Sequence, residues 1–295
     1  MMLLWGVLDS PDIPLNVSRS YLQADSNVKK ISSHISKKVA EKLEQMYKED
    51  KDGFLKKWDD LSIFIKYGMI SDEKFYDRMS KVCQLKNVAG EYFTFDEYKK
   101  KIENLQTDKD KKLVFLYAQN TENQYPYIQA AKDKGYDVLL MDGLLDSHFI
   151  QALEQKFTDA RFVRIDADTI EKLIPKDEVI PFKLSEEECK KVKEMVEMIF
   201  DKDKFTVQTE SMEQTAQPFT ITQNEFMRRM KEMSEMGGGM ASLYGEMPEH
   251  YNLVVNTNHE IISKILNEQD TEKRVGILNQ LKDLALLQQG LLKGE

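Results

Sequence analysis

Two cysteines, Cys83 and Cys189, are the only thiols in 295 residues, and they stand far apart. They cannot build a disulfide framework, and no CxxC spacing offers a four-ligand zinc site. A reducing, cytoplasmic setting is the expectation that follows. The four histidines, His34, His148, His250 and His259, share no ligand spacing with one another or with the cysteines, so no metal is expected. Glycine (13) and proline (7) are scarce, which excludes collagen-like and low-complexity chains. No apolar run reaches the roughly 20 residues of a membrane span. The apolar opening, Met1 to Leu8, has neither a basic leader nor a small-residue cleavage site. It reads as a buried strand that begins abruptly, as in a piece of something larger. Positive charge is in deficit: 42 Lys and Arg against 51 Asp and Glu give a net charge of −9. That balance argues against nucleic acid as a partner, and a membrane is not expected either.

What is present is 41% hydrophobic and 32% charged, the profile of a helix-rich globular protein of about two domains. Val28, Ile31, Ile35, Val39, Leu43 and Met46 step by three or four and predict one face of an amphipathic helix. Gly53 interrupts it. Phe54, Trp58, Leu61, Phe64 and Ile65 predict a second helix ending near Gly68, Ser71-Asp72-Glu73 caps a third, and Thr94 with Asp96-Glu97 opens a fourth.

After Asp110 the pattern changes. Leu113–Ala118 is a continuous apolar run, the mark of a strand buried on both faces. A helix over 123–134 stopped by Gly135, a strand over 136–141, a helix over 147–157 and a strand over 161–165 complete a small parallel α/β layer. Residues 166–183, with Pro175 and Pro181 among charges, read as a linker. Ser185–Glu188 then caps a helix that turns Val192, Met195, Val196 and Ile199 inward. Residues 205–209 and 218–222 alternate like paired strands, and a methionine-rich helix, a Gly237-Gly238-Gly239 loop, a strand at 252–255 and two closing helices follow. The fold class is mixed α+β.

Little here resembles a self-contained active site. The triple glycine lacks the Lys-Ser/Thr of a phosphate loop. Asp166-Ala167-Asp168 has the form of a metal-binding pair, yet such pairs are common in solvated loops. Asp142, Asp146 and His148 follow a strand end, where parallel sheets bind ligands, which leaves a small hydrolase-like α/β enzyme open as an alternative. An Asp-Gly turn before a helix N-terminus accounts for the same residues. Three other features stand out. An irregular loop from Asp9 places Arg19 near the start of a helix, where guanidinium suits a phosphate, although a structural loop with a surface arginine explains it as well. Nine of the 15 methionines lie between Met195 and Met247, and Phe226, Met230, Met233, Met236 and Met240 share one side of a helix, opposite Arg228, Lys231, Glu232 and Glu235. Such a stripe is core filler or an adaptable interface. Finally, Ile277, Leu278, Leu281, Leu284, Leu287 and Leu291 give the last helix a wide apolar face that needs a partner in this chain or another.

The run Gly6-Val7-Leu8-Asp9-Ser10-Pro11-Asp12-Ile13-Pro14-Leu15-Asn16-Val17-Ser18-Arg19, with Leu22-Gln23 beyond it, closely resembles a long motif of the heat-shock protein 90 family, in the wording of its bacterial branch. The resemblance extends through essentially the whole chain; Trp5 departs from the polar or basic residue usual before the glycine. It implies residues 1–27 as the end of the large middle-domain unit with its catalytic loop, 28–110 as the helical unit, 111–178 as a small α/β/α unit, and 183–295 as the C-terminal dimerisation domain with a terminal helix bundle. The family's N-terminal nucleotide domain has no counterpart among these residues. By the same resemblance Arg19 reaches the ATP γ-phosphate and Gln23 assists it. The methionine helix (Phe226, Met230, Met233, Met236, Met240) contacts client proteins, and the closing helices form the homodimer interface. The implied function is that of an ATP-dependent chaperone. This stretch is expected to hold no cofactor and to be no enzyme alone, with ATP and Mg²⁺ belonging to the full-length protein.

Overall fold

Asp50 is where the first long helix breaks. In the computed structural model, which describes residues 26–177, 180–223, 228 and 250–292, α1 (Ser26–Glu49) gives way to α2 (Lys51–Lys56) at this residue. The Asp50 carboxylate accepts the Gly53 amide at 2.8 Å, the usual service of an N-cap. A Cβ on Gly53 would fall 2.0 Å from that carboxylate, so the glycine permits the cap and the interruption lies three residues before it. Helix α3 (Trp58–Ser71) runs past Gly68, whose bare Cα lets the Phe75 ring come to 2.6 Å of an ideal Cβ. Asp72 caps α4 (Glu73–Met79), accepting from Lys74 N at 2.9 Å and Phe75 N at 3.2 Å. A two-stranded hairpin, β1 (Leu85–Lys86) and β2 (Tyr92–Phe93), lies inside what reads as helical sequence. Asn87 builds its turn by accepting from Ala89 N and Glu91 N, and Gly90 takes φ +81°. Helix α5 (Phe95–Ile102) opens with the reciprocal Thr94–Glu97 capping box.

Strand β3 (Leu113–Ala118) has the boundaries its apolar run predicts and is buried from Val114 onward. Parallel β4 (Val138–Leu140) and β5 (Ala160–Arg164) flank it, in the order β4-β3-β5, with Leu116 opposite Val138 and Leu113 opposite Ala160. Helix α6 (Tyr125–Asp133) stops at Gly135, at φ +73°, and α7 (Asp146–Lys156) joins β4 to β5. The 166–183 segment is more ordered than a linker. It contains α8 (Ile170–Leu173), and Ile170, Leu173 and Ile174 are buried, an element too short to leave a periodic trace in sequence.

Beyond it, α9 (Glu186–Glu197) has the complete Ser185–Glu188 capping box. The sheet of β6 (Phe205–Glu210), β7 (Phe219–Thr222) and β8 (Tyr251–Asn256) has the order β6-β8-β7, with β8 parallel to β6 and antiparallel to β7. The two segments that alternate like a pair are therefore not paired. The more apolar β8, with Leu253, Val254 and Val255 buried, takes the central place between them. Helices α10 (Glu260–Asn267) and α11 (Thr271–Gln288) close the chain, and their Ile262, Ile265, Leu278, Leu281 and Ala285 join Val196, Phe219, Ile221 and Leu253 in one core.

Contacts group residues 1–101 with 141–157 as one unit, and 102–140 with 158–295 as another, a coarser division than the sequence boundaries and one that crosses them. The first unit is built on Phe54, Trp58, Ile65, Met79 and Phe149, all buried. The second carries both three-stranded sheets. The architecture is mixed α+β. No helix among the described residues is long and apolar enough to cross a membrane.

Candidate functional site

The strand-end residues do not converge. Asp146 is buried and both its oxygens are engaged: one meets Lys66 Nζ at 2.5 Å, the other accepts the Gly143 amide at 3.0 Å. Gly143 makes that second bond possible, since a Cβ there would lie 3.1 Å from the carboxylate. Asp142 and His148 are exposed. A carboxylate bound on both oxygens ties helices together and is poorly placed to move a substrate proton. Among the described residues no group of three His, Cys, Asp or Glu could hold a metal ion. Cys83 lies in the same buried region, and burial pushes its thiol up to about 12, with Lys66 pulling the other way. Only thiolate reacts with alkylating agents, so Cys83 is expected to resist iodoacetamide at pH 8 until the protein unfolds, while half-buried Cys189 is labelled slowly. Mass spectrometry of the labelled peptides checks this; prompt labelling of Cys83 in the folded state contradicts it.

Arg19 and Gln23, and the methionine face of Phe226, Met230, Met233, Met236 and Met240, lie outside the described residues. One neighbour of that face is described, and it departs from expectation. Arg228, assigned by periodicity to the solvated side, is only 4% exposed. It donates to the Tyr117 hydroxyl at 2.9 Å and to Gln119 Oε1 at 3.4 Å. The same Gln119 oxygen accepts from Arg164 at 3.2 Å, and Arg164 in turn pairs with Asp166 and reaches Gln223 Oε1 at 3.2 Å. The Gln223 amide completes the link by donating to the Asp166 carbonyl at 3.1 Å. Residue 228 is thus tethered to the ends of β3 and β5. Helical periodicity cannot reveal this, because every partner is far away in sequence or in a loop.

Helix α11 divides the six residues expected at its face. Leu278 (3% exposed) and Leu281 (7%) are sunk in the core of their own unit, against α9 and the β6-β8-β7 sheet, so they belong to that core and leave nothing for a partner. Ile277 and Leu291 pack against the core edge. Leu284 (56%) and Leu287 (61%), three residues apart on the other side, stand in solvent, and Leu292 beyond the helix does too. The helix end is pinned. Gln289 Nε2 donates to the Ile221 carbonyl at 2.8 Å and to the Tyr127 hydroxyl, and that hydroxyl donates to the same carbonyl. Burial raises the Tyr127 phenol above its ordinary pKa, so it stays a neutral donor. The result is a fixed helix with an uncovered apolar stripe.

A pinned helix with a bare leucine stripe, closing an α+β domain behind a small parallel α/β layer, accompanies a match of residues 1–293 to the family described as Hsp90 protein. The chain belongs to the Hsp90 family, in its bacterial branch. It is 50% identical over 270 residues to Chaperone protein HtpG of Porphyromonas gingivalis, covering 90% of this chain and 39% of that protein. It is 46% identical over 300 residues to Chaperone protein htpG of Bacteroides fragilis, covering 99% and 44%. A more distant relative, the mitochondrial TNF receptor-associated protein 1 homolog of Dictyostelium discoideum, is 26% identical over 306 residues, 41% of its length. The chain therefore spans about two-fifths of the length of the curated relatives it matches.

Proposed function

We propose that these residues are the dimerising, client-handling part of an ATP-dependent chaperone of the Hsp90 family, working in the reducing cytoplasm. In this reading two copies pair through α11, and unfolded or partly folded clients bind the face of Phe226, Met230, Met233, Met236 and Met240. Arg19 and Gln23 serve an ATP·Mg²⁺ held by the nucleotide domain of the full-length protein.

The observation that carries the reading is the exposed stripe of Leu284 and Leu287 on a helix whose opposite side is locked in the core. Leaving a leucine in water forgoes about 1.5–3 kcal/mol per side chain. A two-fold pairing of like stripes is the common way to recover it, and two helices from each copy make a four-helix bundle. Sedimentation at micromolar concentration is expected to give twice the chain's mass. Leu284→Glu with Leu287→Glu is expected to give a folded monomer whose melting temperature falls only by what the pairing contributes, because neither side chain supports the core of its own unit. A wild-type chain that stays monomeric at high concentration defeats the proposal. For the client face, Met233→Ser is expected to weaken capture of an unfolded protein while leaving the melting temperature almost unchanged. A loss of roughly 2–5 kcal/mol of stability in that variant would instead mark Met233 as core.

A further inference from the structure

Within the second unit a half-open cavity of about 370 Å³ lies between α6 and the 212–217 segment that follows β6. That size falls within the range of small-ligand sites, roughly 300–1,000 Å³. Its apolar lining comes from Ile165 and Ile170 behind β5 and from Met212 across the way, with Tyr127 between them. The 212–217 wall is held rigid from behind. Asn256, fully buried, accepts the Met212 amide at 3.3 Å and donates to the Glu213 carbonyl at 2.8 Å, and Lys134 at the end of α6 grips Glu213 at 2.9 Å. A wall fixed in this way loses little freedom when something binds against it.

The polar lining combines three primary amides with the hydroxyls of Thr169, Thr215 and Thr220. Gln129, Gln217 and Gln288 line it, and their amides make no hydrogen bond with any other described residue. A primary amide is both donor and acceptor, the complement of a peptide group. Among the described residues Asp133 is the single charged group of the lining, with no ion-pair partner, and no cation lines the cavity. Such a site turns away anions such as phosphates and carboxylates and favours a positive charge.

We propose that this groove binds an extended peptide segment with apolar side chains and one basic residue, the glutamines reading its backbone, Ile165, Ile170 and Met212 taking its apolar side chains, and Asp133 its cation. The site goes beyond the reading above, which places client contact on residues 226–240. It stands or falls independently of that surface.

The test uses the whole chain and an acetylated, amidated pentapeptide of alternating isoleucine and threonine with one central lysine, titrated by calorimetry beside its glutamate counterpart. The lysine peptide is expected to bind up to about fivefold more tightly, the scale of one exposed ion pair. Asp133→Asn is expected to abolish that preference, and Gln217→Ala to weaken binding about fivefold, the scale of one hydrogen bond. Ala130→Trp, which fills the groove from α6, is expected to remove binding. Gln217 and Asp133 are exposed, so both variants fold even if Ala130→Trp does not. No binding of the lysine peptide at millimolar concentration overturns the proposal. So does a lysine preference that survives Asp133→Asn, or binding left intact by a folded Ala130→Trp.

Discussion

Arg19→Ala in the full-length protein is expected to slow ATP turnover by about 10³-fold or more with little change in nucleotide affinity. The magnitude is that of an arginine finger, roughly 10³–10⁵ in turnover, where a cation carried on one domain meets charge developing on the phosphoryl group held by another. Pro11 and Pro14 precede Arg19 in the sequence, and their fixed φ angles reduce the conformations open to the chain before the arginine. On the proposed role its effect falls on the transition state, so steady-state turnover is expected to move while the dissociation constant of a non-hydrolysable analogue is not. Arg19→Lys keeps the charge but loses the planar fork, and is expected to recover only part of the rate. The 295-residue chain alone is expected to hydrolyse no ATP above background. Unchanged turnover in the alanine variant would falsify the assignment of Arg19 to the phosphate.

Lys66→Met is expected to destabilise the protein by about 3–5 kcal/mol, the usual cost of leaving one member of a buried ion pair uncompensated. The Lys66 and Asp146 side chains are 13% and 3% exposed, and the Phe149 ring lies 5.6 Å from the ammonium, so water cannot take over the lost partner. Asp146 would keep only the Gly143 amide. A fall in melting temperature of roughly 5–8 °C follows from typical unfolding entropies for a chain of this length. The double variant Lys66→Met with Asp146→Leu is expected to regain most of the loss, because the charge and its desolvation disappear together. Thermal denaturation of the two variants beside the wild type decides. A single variant as stable as wild type means that Asp146 finds another partner, and the pair is then no buried brace.

Local signals were the legible ones. Asp72, Thr94 with Glu97, and Ser185 with Glu188 cap the helices they announce, because a cap and its partner lie within four residues of each other. Leu113–Ala118 reads as a doubly buried strand because burial on both faces removes alternation. What sequence could not convey depends on distance or brevity. The hairpin at Leu85 and Tyr92 has strands of two residues, and α8 is a single turn. The central place of β8 is decided by pairing with strands far upstream. The same holds for the site: the apolar side of α11 is visible as a stripe, but its division into core Leu278 and Leu281 and bare Leu284 and Leu287 depends on α9 and the sheet packed beneath it.

The β6-β8-β7 order also bears on how the domain is made. During synthesis β6 and β7 emerge first, yet neither can hydrogen-bond to the other across the gap that Tyr251–Asn256 must fill. Until the whole stretch between Thr222 and Tyr251 has been translated, both remain strands with open edges, the kind of surface that pairs with neighbouring chains. Closure then waits on a non-local parallel pairing, which is intrinsically slow. Nascent chains released before residue 251 are therefore expected to aggregate, whereas chains extended past Asn256 can complete the sheet.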